Sequence, residues 1–426
     1  MIRALWVASL IFLFGSSAQA TADDYRLEDY IYVDYIKTVT LNATVSKLSV
    51  PIAILGGRNS LELGFDDLNE NTNQNFRYTL IHCNSDWTQS NLGDLEYMEG
   101  YTDDRVIDIQ SAFNTIVFYN HYRIVFPNDN INVSKSGNYV IRVFEAGGKT
   151  LLTKRFVVTE SLVSVIGQCT YGTNPGQAET HQEVDFTVNH KKLNIRNPFT
   201  EIKASVLQNW RWDNAVQNVA PFNVSNESMN FDYQGKIGFP AGKEFRWFDF
   251  QNISNPGFQI KYIKRYPEGF DVTLYKERPR ANSPYFQDLD INGKFLIRQQ
   301  NPFVEQVEND IRAEYANVMF SLDAKEPYDK GSVYLLGGFS QWQILPEYKM
   351  SYNNKTEAYE ADVYLKQGLY NYTYALVDRG PADCAAIEGD WFETENEYTV
   401  LLYYRPFGER YDRVIGYGVI NSRRRN

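Results

Sequence analysis

Between Ile81 and Leu92 the sequence reads IHCNSDWTQSNL, which sets His82, Cys83, Asp86 and Trp87 almost side by side. These are the side chains of metal sites and nucleophilic centres. Imidazole and thiolate ligate zinc, and a thiolate beside a general base attacks carbonyl carbon. Both chemistries need the groups to converge on one point. The flanking run NFRYTLIHCN alternates, with Phe76, Tyr78 and Leu80 on one side, and predicts a strand. Neighbouring side chains of a strand point to opposite faces, so His82 and Cys83 diverge and cannot share an ion without a bulge. No HxxxH or CxxC spacing assists them, and the remaining histidines are His121, His181 and His190. The pattern predicts a hydrogen-bonded His82 at a strand end, with NSDWT as the turn beyond it.

Other motifs weaken under the same scrutiny. DLDINGKFLIRQ (Asp288 to Gln299) starts like a calcium loop, yet Gln299 stands where calcium needs a bidentate glutamate. Asn292–Gly293 is a favoured two-residue turn, so a hairpin is the preferred reading and calcium the other. GFPAGKE (Gly238 to Glu244) has three residues between its glycines where a phosphate loop has four, and Glu244 replaces the magnesium-binding Ser or Thr. Neither HExxH nor GxSxG occurs. These motifs single out no catalytic residue, no metal site and no cofactor. VYLLGGFSQW (Val333 to Trp342) resembles the start of glycogen- and starch-binding sandwiches, in which aromatics stack on sugar rings. Trp342 and Trp391 are then the candidate platforms, and a periplasmic glycan-binding protein is the alternative function.

The elements that must position these residues are strands. Period-two runs of five to eight residues recur, broken by Gly, Asn, Asp and Pro. HYRIVF places Tyr122, Ile124 and Phe126 on one face. GNYVIRVFEAGGKTLLTKRFVV reads as a hairpin turning at Gly147–Gly148, with Tyr139, Ile141 and Val143 alternating and Phe156 on the return. SAFNTIVF and VENDIRAEY are the best candidates for helix, and both are short. Aromatics make up 15% of the chain, which suits half-buried pleated surfaces. The fold class is therefore all-β: two or three immunoglobulin-like or early-set antiparallel β-sandwich domains in series. The expected division is a signal peptide over 1–20, an N-terminal immunoglobulin-like domain over 21–160, a middle β domain over 161–304 and an early-set-like sandwich over 305–426. EIKASVLQNWRWDN, GKEFRWFDF, FQIKYIKRY and FDVTLYKER fall in the middle domain, and NEYTVLLYYRPFGERYDRVIGY in the last.

The signal assignment rests on Arg3, the apolar run Ala4 to Phe14 and the small residues of AQA (Ala18 to Ala20). That run is too short to span a bilayer, and no membrane insertion is expected. A formal charge of −11 argues against nucleic acid and anionic lipid as partners. Cys83, Cys169 and Cys384 are too few for a disulfide framework and are expected to be buried and unpaired, with a Cys83–Cys169 bridge left open. The tail NSRRRN is expected to be solvated.

PIAILGGRNSLELGFDDLNENTNQNFRYTLIHCNSDWTQSNLGDLEYMEGY, with FNTIVFYNHYRIVFPNDNINVSKSGNYVIRVFE, resembles the type IX secretion system plug protein family of Bacteroidetes, formerly a domain of unknown function. Phe65-Asp66-Asp67-Leu68, Ile81-His82-Cys83-Asn84, Asp86-Trp87, Ser90-Asn91-Leu92, His121-Tyr122 and Ser136-Gly137-Asn138-Tyr139 carry the likeness. The resemblance implies a non-enzymatic plug that seals the periplasmic end of a giant outer-membrane β-barrel translocon in the absence of cargo. It also implies a periplasmic location at the outer membrane and no small-molecule substrate. Trp87, Leu92, Tyr97 and Tyr101 are the candidate partner-interface residues, because aromatic and apolar anchors dominate interface energies. The alternative for each is a place in the first domain's own core.

Overall fold

The structure is a computed structural model that describes residues 25–69, 74–190, 193–300 and 309–423. The expected signal peptide, the boundary between 304 and 305, and the end of the tail lie outside the described residues.

Alternation builds the first core as expected. One sheet runs in the order Tyr30–Ile31, Thr150–Thr159, Gly137–Glu145, Phe76–Cys83, Asp103–Arg105. The facing sheet runs Ile36–Ala43, Leu61–Asp67, Asn120–Phe126, Asp108–Ser111. Phe76, Tyr78 and Leu80 meet Tyr122, Ile124 and Phe126 between them, with the Phe76 and Tyr122 rings 4.8 Å apart. The predicted hairpin forms with Tyr139 opposite Phe156. A short strand, Ile52–Ile54, adds to its outer arm in parallel, one of two parallel pairings in a fold otherwise antiparallel among the described strands.

Beyond residue 160 the sheets do not divide the chain at the expected boundaries. The second sandwich packs Ser164–Tyr171, His181–Asn189, Ser228–Phe231 and Asn223–Val224 against Val216–Val219, Ile202–Gln208, Glu397–Tyr404 and Arg413–Asn421. The C-terminal hairpin, expected in the last domain, thus completes the middle one, in register from Ile202 opposite Tyr404 to Gln208 opposite Tyr398. Conversely, GKEFRWFDF, FQIKYIKRY and FDVTLYKER belong to the third sandwich. There Arg246–Asp249 and Phe295–Ile297 flank Gly368–Val377, which also pairs with Ser332–Leu336. The opposite sheet runs Ile260–Tyr266, Gly269–Leu274, Tyr315–Asp323, Ala358–Lys366, Ser351–Asn353. The physical reason is core complementarity: Phe248 stacks on Tyr370 at 5.2 Å inside the third core, a partner choice that local periodicity does not encode.

Among the described residues helix is confined to single turns such as Asn309–Arg312 within VENDIRAEY, while SAFNTIVF contains none. Among the described residues no helix is long and apolar enough to cross a membrane. All three cysteines are free, and only Cys83 is fully buried. The expected DLDING hairpin needs correction. Asn292 and Gly293 do turn with positive φ (54° and 76°), but the following strand pairs with Gly368–Tyr370 and not with the residues before the turn. Asp290 and Asn371 hold those earlier residues instead, accepting the N–H groups of Phe245 and Ile291, each at 2.6 Å.

Candidate functional site

His82 and Cys83 sit at the end of Phe76–Cys83 and do diverge. The His82 ring lies over Gly137, where any Cβ would strike it, and its Nε2 is 3.1 Å from the Ser136 carbonyl. Burial holds the imidazole down to about 4, despite that hydrogen bond, and pushes the Cys83 thiol up to about 12. A neutral imidazole and a protonated thiol on opposite faces do no nucleophilic chemistry. The NSDWT turn follows as expected, with Asn84 N–H donating to the Thr88 carbonyl at 2.8 Å.

That turn is a joint between sandwiches. Trp87, with φ 64°, is buried edge-on against Trp212 of the second sandwich at 4.7 Å, and the Arg155 guanidinium covers it at 4.3 Å. Ser85 N–H donates to Asp412 at 2.9 Å, and Tyr403 hydroxyl to Asn138 at 2.9 Å. Ile52 and Val157 of the first sandwich share an apolar seam with Leu207, Leu401, Tyr403 and Val414 of the second. Leu92 and Tyr97 lie in the first core, the Tyr97 hydroxyl 3.1 Å from the Leu80 carbonyl. Three of the four interface candidates therefore serve the chain's own interior, because each finds complementary apolar surface within the molecule. Tyr101 alone is exposed, at 65%. It heads a segment that crosses from the edge of one sheet of the first sandwich to the edge of the other, and that leaves Ile107, Ile109 and Phe113 in solvent. Sequence reasoning missed these three; the available signal was apolar side chains set among polar residues in and around strands of only three or four residues.

A second joint ties the first sandwich to the third through buried charge. Asp66 is completely buried and accepts from Lys366 Nζ at 2.5 Å and Tyr315 hydroxyl at 2.6 Å, with His121 Nδ1 at 2.7 Å. Burial alone would raise the Asp66 carboxyl, but Lys366 and His121 outweigh it and hold the group below the usual carboxylate range. The Lys366 ammonium also donates to the Asp310 carbonyl and sits 4.0 Å over the Tyr119 ring. Tyr119 hydroxyl in turn donates to Ala313 at 2.8 Å. None of these partners was paired by sequence reasoning.

The two glycan candidates lie apart in role. Trp342 forms the second central residue of a tight turn, Ser340–Gln343, in which Gln341 and Trp342 both have positive φ (54° and 59°). Arg211 stacks on its ring at 4.2 Å and Phe245 meets its edge. Left-handed non-glycine residues cost on the order of 1 kcal/mol each, so this tryptophan is held against a preference. Trp391 is half-buried beside Tyr285 and under Lys243. The structure does not stack the two tryptophans on one another or on a shared ring.

The profile of the type 9 secretion system plug protein 1st domain matches residues 36–160. The crystal structure of a hypothetical protein from Parabacteroides merdae ATCC 43184 superposes with a TM-score of 0.88 at 33% identity, over 93% of this chain and 100% of that one. No curated protein matches the sequence.

Proposed function

The chain belongs to the type 9 secretion system plug protein family, and from that membership we propose that it is a non-enzymatic plug seated at the periplasmic end of the giant outer-membrane β-barrel translocon. It seals the barrel while no cargo is engaged. The observation that carries this reading is the buried Asp66–Lys366 joint, which locks the first sandwich to the third. A stopper for a wide lumen has to resist bending, and a body already ordered loses little conformational freedom when it seats. The apolar seam between the first and second sandwiches supports the same stiffness. Tyr101, joined by Ile107 and Ile109, is the contact we assign to the barrel, since these exposed side chains follow one another along a single segment and gain from leaving water. Trp87 belongs instead to the joint with the second sandwich, and Leu92 and Tyr97 to the first core. An affinity-tagged full-length chain drawn from outer membranes should bring down a very large β-barrel free of cargo, and its deletion should make the outer membrane leak large hydrophilic dyes. Recovery without a barrel, together with unchanged permeability, refutes the reading.

A further inference from the structure

We propose that the cleft where the three sandwiches meet is a binding site for a neutral oligosaccharide. The cleft encloses about 650 Å³ and draws its walls from all three units, the size and placement typical of small-ligand sites. Two tight turns aim tryptophans at it. In one, Arg211 N–H closes on the Gln208 carbonyl at 3.0 Å around Asn209 and Trp210, whose φ values are 54° and 58°. In the other, Gln343 N–H closes on the Ser340 carbonyl at 3.0 Å around Gln341 and Trp342. A turn with both central residues left-handed favours Asn–Gly, so a tryptophan in the glycine position is strained. Strain of this kind gathers at sites that bind, and here two separate units repeat it on one cavity.

The chemistry of the walls selects the ligand. Trp210 meets another ring only edge-on, Trp212 at 6.0 Å and 76°, which leaves indole surface for a flat apolar face. Trp212 and Asn214 both line the cleft, and beneath its surface the Trp212 indole N–H and the Asn214 side-chain oxygen are buried without a hydrogen-bond partner. A donor and an acceptor two residues apart suit a molecule that offers both. Lys243 and Arg211 oppose a cationic ligand, while Asp383 and Asp390 oppose an anionic one, as does the overall charge of −11. A neutral sugar supplies what remains: C–H faces to stack on indole and hydroxyls that donate and accept. The site owes nothing to the barrel-sealing reading and stands or falls separately.

Tryptophan fluorescence of the full-length protein, titrated with maltotriose, cellotriose and triacetylchitotriose, tests it. An anionic sialylated trisaccharide and a tri-lysine peptide serve as charged controls. At least one neutral trisaccharide should bind with a Kd on the order of 0.1–1 mM. Trp210→Gly relieves the left-handed strain but removes an indole packed against the apolar seam, so its melting is measured beside binding, which should weaken about tenfold or more. Asn214→Ala should weaken it as well and decides the matter if Trp210→Gly melts lower. Phe407→Ala, an exposed side chain outside the cleft walls, should leave binding unchanged. The proposal is overturned if no neutral trisaccharide binds up to about 10 mM, if the charged controls bind better, or if the Trp210 and Asn214 variants bind like the wild type.

Discussion

Lys366→Met removes one charge from the joint between the first and third sandwiches while keeping most of the side-chain stem. The Lys366 side chain is 1% exposed and that of Asp66 0%, so the surviving carboxylate cannot recover its lost partner from water. At 2.5 Å and an effective dielectric near 20, the lost attraction is about 7 kcal/mol before the desolvation that lysine itself no longer incurs. Breaking one side of such a pair leaves a net loss of about 3–5 kcal/mol. Replacing both groups, Asp66→Leu with Lys366→Met, abolishes the orphaned charge and should return most of it. Urea unfolding of the full chain, followed by tryptophan fluorescence, reads these differences as midpoint shifts. Wild type should unfold in one transition and Lys366→Met in two, because the joint is what makes the sandwiches cooperate. The pH dependence carries a further check. Because Asp66 titrates below its unfolded value of about 4, its contribution is complete above that pH and is lost as pH falls through the folded value. The gap between wild type and variant should therefore narrow below about pH 4. A Lys366→Met loss under about 1 kcal/mol, or a double variant no better than the single, refutes the reasoning.

Burial of neutral His82, held at about 4, makes the unfolded chain the better proton acceptor between about pH 6.5 and 4, so stability should fall by about 3 kcal/mol as pH drops through that window. His82→Phe should remove that slope from the urea midpoints. Trp87→Ala empties the joint beneath Arg155 and should cost about 3–5 kcal/mol, read by the same unfolding. Tyr101→Asp with Ile107→Asp alters only solvated side chains and should leave stability within about 0.5 kcal/mol, while recovery of the barrel in the pull-down falls at least tenfold. Undiminished recovery would assign the contact elsewhere.

Local chemistry was legible in the sequence, and long-range partnership was not. Alternation put Phe76, Tyr78 and Leu80 on one face and separated His82 from Cys83, because side-chain direction in a strand depends only on parity. The Gly147–Gly148 hairpin was legible for the same local reason. Parity does not say which sheet a strand joins, so the hairpin Glu397–Asn421 was placed one sandwich too late. Nor does it distinguish an aromatic that faces a partner protein from one that faces another sandwich of its own chain. Trp87 satisfies every local criterion for an anchor, yet its complement is Trp212, 125 positions away. The strained turns at Asn209–Trp210 and Gln341–Trp342 escaped for the opposite reason: they break the local rule that glycine marks the left-handed residue. The features that matter most to stiffness and to the cleft are those whose partners lie far apart in the chain. Asp66 and Lys366 are separated by 300 positions, and each alone reads as an ordinary surface charge on a strand. Their meeting in a buried joint ties the first sandwich to the third, a partnership that the local pattern of neither strand announces.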